Sequence, residues 1–273
     1  ESCLTMDNCV IVFEEFMSEG CRNDGDGNDL VCCLHGMGNG ALAIRNSRIC
    51  VRTGISAIGG SYANIRLAHN TITASMETHC IFDGVVAELE ISCCTVYGCK
   101  LYDGIVRAKT RHFSFADNVI TDISALRCVT EADMDRIALL PYYALLNVSA
   151  ERGYIRNNRI YRVKQTLAYM SMLIHASCNE VCIEENCIEE STLYQCFSLY
   201  CINAVVRGNE VRDCRIDSNA ISVKAKNSAE VRNNIIEGNK SESFSGPMGM
   251  VAIRVLSESC IISDNCIRNN ETG

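Results

Sequence analysis

An imidazole, a phenol and an ammonium group recur at closely matched intervals in this 273-residue chain. His175, Tyr200 and Lys224 lie 25 and 24 residues apart. Together they offer a base, an acid and a cation. That set suits removal of a proton beside a carboxylate. The cation neutralises the carboxylate and acidifies the neighbouring C–H, the base takes the proton, and the acid protonates the departing oxygen. Lys224 or Arg254 is the candidate cation, with His175 or Tyr200 as base and acid. Arg107, Asn147 and Arg254 are candidate substrate contacts, and Asp133 and Asp135 place two further carboxylates on a loop. Groups so far apart in sequence act together only if the fold stacks one interval on the next.

A repeated phrase provides for that stacking. Tyr154–Ile160 reads YIRNNRI: an apolar residue, polar positions, Asn, a spacer and a second apolar residue. The Asn slot recurs at Asn8, Ser47, Asn70, Cys94, Asn118, Asn158, Asn186, Asn209, Asn234 and Asn265. Its spacings are 39, 23, 24, 24, 40, 28, 23, 25 and 31, a basal period near 23 to 25 stretched by insertions. Fixed self-similarity of this length is the signature of a solenoid.

The repeat is built of strands. Apolar residues alternate around each Asn, as in Val181, Ile183 and Ile188 or Leu89, Ile91 and Val96. Alternation of β-branched residues marks strands, and no Leu-x-x-Leu-x-Leu frame is present. Asn tolerates the left-handed backbone region, so it can turn a corner between two short strands. Stacked Asn side chains can also hydrogen-bond from coil to coil. Each repeat divides into three strands; for the one ending at Asn118 these are Thr95–Tyr97, Gly104–Ala108 and His112–Phe115.

The pattern resembles the right-handed parallel β-helix superfamily that includes pectate lyases, polygalacturonases and many phage and surface fibres. The resemblance covers residues 3–268. It implies an all-β, right-handed single-stranded parallel β-helix of about ten rungs with an Asn-turn ladder. One domain, 1–273, then carries insertions at 14–40, 121–140 and 237–250. Ten rungs at the inter-strand spacing give a rod roughly 45 Å long. The first insertion contains NDGDGND, whose Asp24, Asp26 and Asp29 lack the Gly and Glu positions of a calcium loop. Within the second, Thr130 can cap a short helix.

In enzymes of that superfamily the substrate lies along the outer face of one parallel sheet, taken here as the middle strand of each coil. Alternation turns Val106, Leu146, Val148, Met170, Met172, Ile174, Leu199, Ile221, Val223, Val251 and Ile253 inward. Arg107, Asn147, Ser171, His175, Ser198, Tyr200, Ser222, Lys224 and Arg254 then point outward, with His175, Tyr200 and Lys224 forming a polar file flanked by Arg107 and Arg254. The polygalacturonase signatures NTD, DD, GHG and RIK are absent, as is the epimerase motif DPHD. A two-carboxylate glycosidase needs acids on adjacent rungs. His69, His79 and His112 are scattered and read as surface or satisfied residues.

Composition bounds the partners. A net charge of -8 with interspersed signs argues against nucleic acid. No apolar run has membrane-spanning length. The chain opens on Glu1, as expected of a piece of a longer protein with adjoining domains. Nineteen cysteines include no CxxC pair and no Cys/His cluster of zinc spacing, so no metal or other cofactor is expected. Cys178 and Cys201 each lie eight residues before their repeat's Asn and are expected to be neighbours. So many thiols suit a reducing or anaerobic setting; in a bacterium, the fold implies a secreted or cell-surface piece. The missing signatures favour a non-catalytic β-helix module for carbohydrate or protein contact, with polysaccharide as the candidate partner. The alternatives are a polysaccharide lyase, epimerase or glycoside hydrolase, and a fibre segment.

Overall fold

The computed structural model describes residues 3–14, 32–75, 77–125, 143–165, 171–241 and 250–272. These form an all-β parallel solenoid of about eight turns, with no helix among the described residues. The first face carries ten short strands, among them Thr95–Tyr97, Val119–Thr121, Arg159–Tyr161 and Cys187–Glu189. Its ten strands match the expected rung number, but complete turns are fewer. The other two faces share one 18-stranded sheet, because single long strands wrap both. The strands expected at Gly104–Ala108 and His112–Phe115 are continuous within Lys100–Ala116. Pairing passes from Thr110↔Ala150 to His112↔Arg152, so Arg111 marks the bend.

Register and burial agree inside the coil. Phe82, Val106, Leu146, Ile174, Phe197 and Ile221 pair in succession and are fully buried. Each contributes roughly 1.5–3 kcal/mol of hydrophobic burial. Ile49, Ile72, Val96, Ile120, Ile160, Ile188, Val211 and Ile236 form the matching column on the first face. Of the residues expected inward, Val148, Met172, Leu199 and Val223 are also buried, and Ile253 partly so. Val251 is 43% exposed, because it sits on the outermost described coil with no described coil stacked beyond it. Met170 lies outside the described residues.

The corner differs from expectation in one respect. The ladder asparagines are present, but the left-handed residue is the one before each: Asn46, His69, Cys93, Asp117, Asn157, Glu185, Asn233 and Asp264, with φ between 48° and 59°. Gly208 fills the same place. The first slot is therefore Cys9 and not Asn8: Asn8 has φ 52°, and the Cys9 amide donates to Ser47 Oγ at 3.1 Å. The ladder Asn itself has no positive φ, and its amide bonds to the neighbouring coils. Asn118, Asn158, Asn186, Asn209, Asn234 and Asn265 are linked Nδ2 to Oδ1 at 2.8–3.0 Å. Each interior Nδ2 also donates to a backbone carbonyl of the preceding coil, as Asn186 does to Ile155 O at 3.0 Å. Each interior Oδ1 also accepts the backbone N–H of the Asn one coil before, as Asn186 Oδ1 does from Asn158 at 3.1 Å, so all four hydrogen-bonding sites of the amide are used.

A second corner follows five residues later. Gly98, Asp122, Arg162, Glu190, Asp213, Gly238 and Asn269 have positive φ. A shorter ladder supports it, with Asn239 Nδ2 donating to Asn270 Oδ1 at 3.0 Å and the Cys214 amide to Asn239 Oδ1 at 2.9 Å.

Cys178 and Cys201 are register partners, as expected, and the described cysteines are free thiols. Residues 32–36, expected within an insertion, instead form a strand paired with Ser56–Gly60. The acidic loop with Asp24, Asp26 and Asp29, and the helix expected from Thr130, lie outside the described residues.

Candidate functional site

The outward positions of the middle face fall into columns one coil apart. One runs His35, Gly59, Asp83, Arg107, Asn147, His175, Ser198, Ser222, Arg254. A parallel column two residues on includes Ser177, Tyr200 and Lys224. Tyr200 and Lys224 are thus direct partners, while His175 stands diagonal to them. The expected single file is corrected to two: His175 pairs with Ser198, because Tyr200 is two residues further along its strand.

The three side chains nevertheless meet. The His175 and Tyr200 ring centroids are 5.6 Å apart at 55°, and Lys224 Nζ lies 5.8 Å from the Tyr200 centroid. Tyr200 is 39% exposed, whereas His175 is buried at 6%. Burial pulls the His175 pKa down to about 4. The imidazole is therefore neutral at pH 7, and a weak base compared with one poised near the working pH. Arg107 precedes His175 by two coils and Arg254 follows it by three, about 10 and 14 Å away at the inter-strand spacing. Asp133 and Asp135 lie outside the described residues.

Arg107 belongs instead to a cluster two coils earlier. Asp83 is its register partner one coil before. Arg107 Nε donates to Asp83 Oδ1 at 2.8 Å, and Nη2 donates to Oδ2, a two-pronged pair. Arg107 Nη1 donates to Asp103 Oδ2 at 3.0 Å. His79 Nε2 lies 3.0 Å from the same Asp103 oxygen, and its Nδ1 3.9 Å from Asp83 Oδ2. Both carboxylates are 5% exposed at the side chain, while His79 and Arg107 cover them at 35% and 34%. His79 is thus a satisfied histidine, as one of the two expectations had it, and belongs to a cluster.

Local backbone explains the placement. Asp103 precedes Gly104, where pairing slips between Leu101 and Gly104. Gly104 has φ 139°, and a Cβ there would lie 2.2 Å from Ala144 O. No side chain fits that approach, and the irregularity brings Asp103 to Arg107 four residues on.

Cys80, adjacent to His79, is fully buried, and burial raises its thiol pKa well above the ordinary value. One ligand atom from each of His79, Cys80 and Asp83 lies within 4.8 Å of the others. Nearer the amino terminus, Cys32 Sγ is 3.3 Å from His35 Nδ1. Burial first, then the charges of Cys33 and Asp83, raise the Cys32 pKa, so this pair lacks the thiolate of a cysteine nucleophile.

With this geometry in view, comparison adds no relative: the chain matches no protein-family model, no curated protein and no solved structure.

Proposed function

We propose that this chain is a non-catalytic module of the pectate-lyase-like β-helix superfamily that contacts acidic polysaccharide along its middle face. One observation carries the reading: the outward groups with chemical potential engage one another. Arg107 is held by Asp83 and Asp103, and Lys224 lies beside the Tyr200 ring. The half-exposed Tyr200 offers a sugar-stacking edge beside the ammonium of Lys224, and Lys226 is exposed on the same strand. A uronate chain would find hydrophobic contact and cationic neutralisation together.

Calorimetric titration with a defined uronic-acid oligosaccharide tests this, beside a neutral one of equal length. Tyr200→Ala and Lys224→Ala are expected each to weaken uronate binding about tenfold, equivalent to about 1.4 kcal/mol. Equal affinity in both variants, or no uronate binding by the native chain, would refute it.

A second reading is supported by Asp83 and Asp103, carboxylates on neighbouring coils bridged by Arg107. Paired acids are the requirement of a glycoside hydrolase. Release of reducing sugar that disappears in Asp83→Asn would favour hydrolysis over simple contact.

A further inference from the structure

Among the described residues, Asp83 and Asp103 place two buried carboxylates around the permanent cation Arg107. Buried charge of one sign in excess is costly and calls for a counter-charge. The donor set beside them offers a way to supply it. His79 Nε2 faces Asp103 Oδ2 at 3.0 Å, which in the neutral imidazole makes Nε2 the N–H donor. Nδ1 then carries the lone pair and faces Asp83 Oδ2 at 3.9 Å. Cys80 adds a sulfur to the same space, with all three ligand atoms within 4.8 Å of one another.

We infer that His79 Nδ1, Cys80 Sγ and an Asp83 carboxylate oxygen form a three-ligand site for a soft divalent cation of the zinc class. A mixed nitrogen, sulfur and oxygen set selects zinc and its neighbours over calcium or magnesium, which take oxygen ligands. Ligand bonds of about 2.0–2.3 Å require the three atoms to close to about 3.3–3.8 Å from one another. Asp103 orients the histidine through its far nitrogen, the usual outer partner of a metal-bound imidazole. Arg107 holds Asp83 in the same way. Binding would displace the Cys80 thiol proton to solvent, and the divalent ion, the resulting thiolate, the two carboxylates and Arg107 together carry no net charge. The His79 side chain is 35% exposed, so the cluster is within reach of solvent on that side. His-Cys-x-x-Asp is not a recognised zinc spacing in sequence. Only the slip before Gly104 completes the arrangement.

The test uses the full reduced chain, stripped by chelator and titrated with Zn²⁺ by calorimetry and native mass spectrometry. Co²⁺ then reports thiolate ligation through its near-ultraviolet charge-transfer band. One tight equivalent is expected in the native chain. The cobalt–thiolate band should vanish in Cys80→Ser, while Asp103→Asn should weaken zinc by about 10- to 100-fold. His79→Gln, at a partly exposed position, should weaken it at least as much and guards against misfolding of the Cys80 variant. Failure of the native chain to bind Zn²⁺, or identical affinity and cobalt spectra in Cys80→Ser and His79→Gln, would overturn the site.

Discussion

Replacing Asn186 with Leu tests the ladder at its centre. Asn186 Oδ1 accepts from the Asn158 amide at 3.1 Å and from Asn158 Nδ2 at 2.8 Å. Its Nδ2 donates to Ile155 O at 3.0 Å and to Asn209 Oδ1 at 2.9 Å. Two of these partners keep a second bond: Asn158 Nδ2 still donates to Phe115 O, and Asn209 Oδ1 still accepts from the Asn186 amide. The Asn158 N–H and the Ile155 carbonyl lose their ladder partner. At about 1–3 kcal/mol for the unsatisfied Asn158 N–H and about 0.5–1.5 kcal/mol for the bond lost at Ile155 O, the loss should be about 1.5–4.5 kcal/mol. Asn186→Cys should cost less, because Cys94 occupies the equivalent slot naturally and its sulfur lies 3.5 Å from Leu67 O. Urea unfolding followed by circular dichroism measures the loss. Hydrogen exchange should show the coils at Asn158 and Asn209 opening first, since a solenoid can unfold locally. A loss below about 1 kcal/mol for Asn186→Leu would refute the argument that these amides hold the coils together.

Three further outcomes are expected. The His175 pKa is lowered by burial to about 4, so the unfolded chain binds more protons between about pH 6.5 and 4. Stability from this group is full above about pH 6.5 and falls by about 3 kcal/mol as pH drops toward 4. His175→Gln should flatten that part of the pH profile, and an imidazole resonance of His175 titrating near pH 6.5 would contradict it. A Cβ on Gly84 would lie 2.2 Å from Gly60 O, so Gly84→Ala should destabilise by about 1–3 kcal/mol or more in urea titration. An unchanged midpoint would show that the strands part freely there. Uronate affinity should fall in Tyr200→Ala and Lys224→Ala but stay unchanged in Tyr154→Ala, a more exposed tyrosine on the third face.

The coil was legible because Asn is chemically particular. Its short amide offers two donors and two acceptor sites along the stack, so one residue type recurs at Asn118, Asn158, Asn186, Asn209, Asn234 and Asn265. The corner's left-handed position lies one residue earlier and holds Asn, Asp, His, Cys, Glu or Gly. The second corner is as varied, from Gly98 to Arg162 to Asn269, and no letter announces it. The contact of His175, Tyr200 and Lys224 followed from the period, but their two columns required the exact register. Asp83 and Arg107 are 24 residues apart, one basal period, so their pairing was within reach of the same arithmetic. Asp103 was not. Its approach depends on the slip at Gly104, which strict alternation cannot express.

Methyl-to-methyl nuclear Overhauser contacts on the first face test the stacking most directly. Ile120, Ile160, Ile188 and Val211 are successive register partners buried in one column. At about 4.8 Å between coils, cross-peaks should join Ile120 to Ile160, Ile160 to Ile188 and Ile188 to Val211. None as strong should join Ile120 to Ile188, two coils apart. Absence of the Ile120–Ile160 contact, or strong contacts that skip a coil, would contradict the parallel stacking on which every site described here rests.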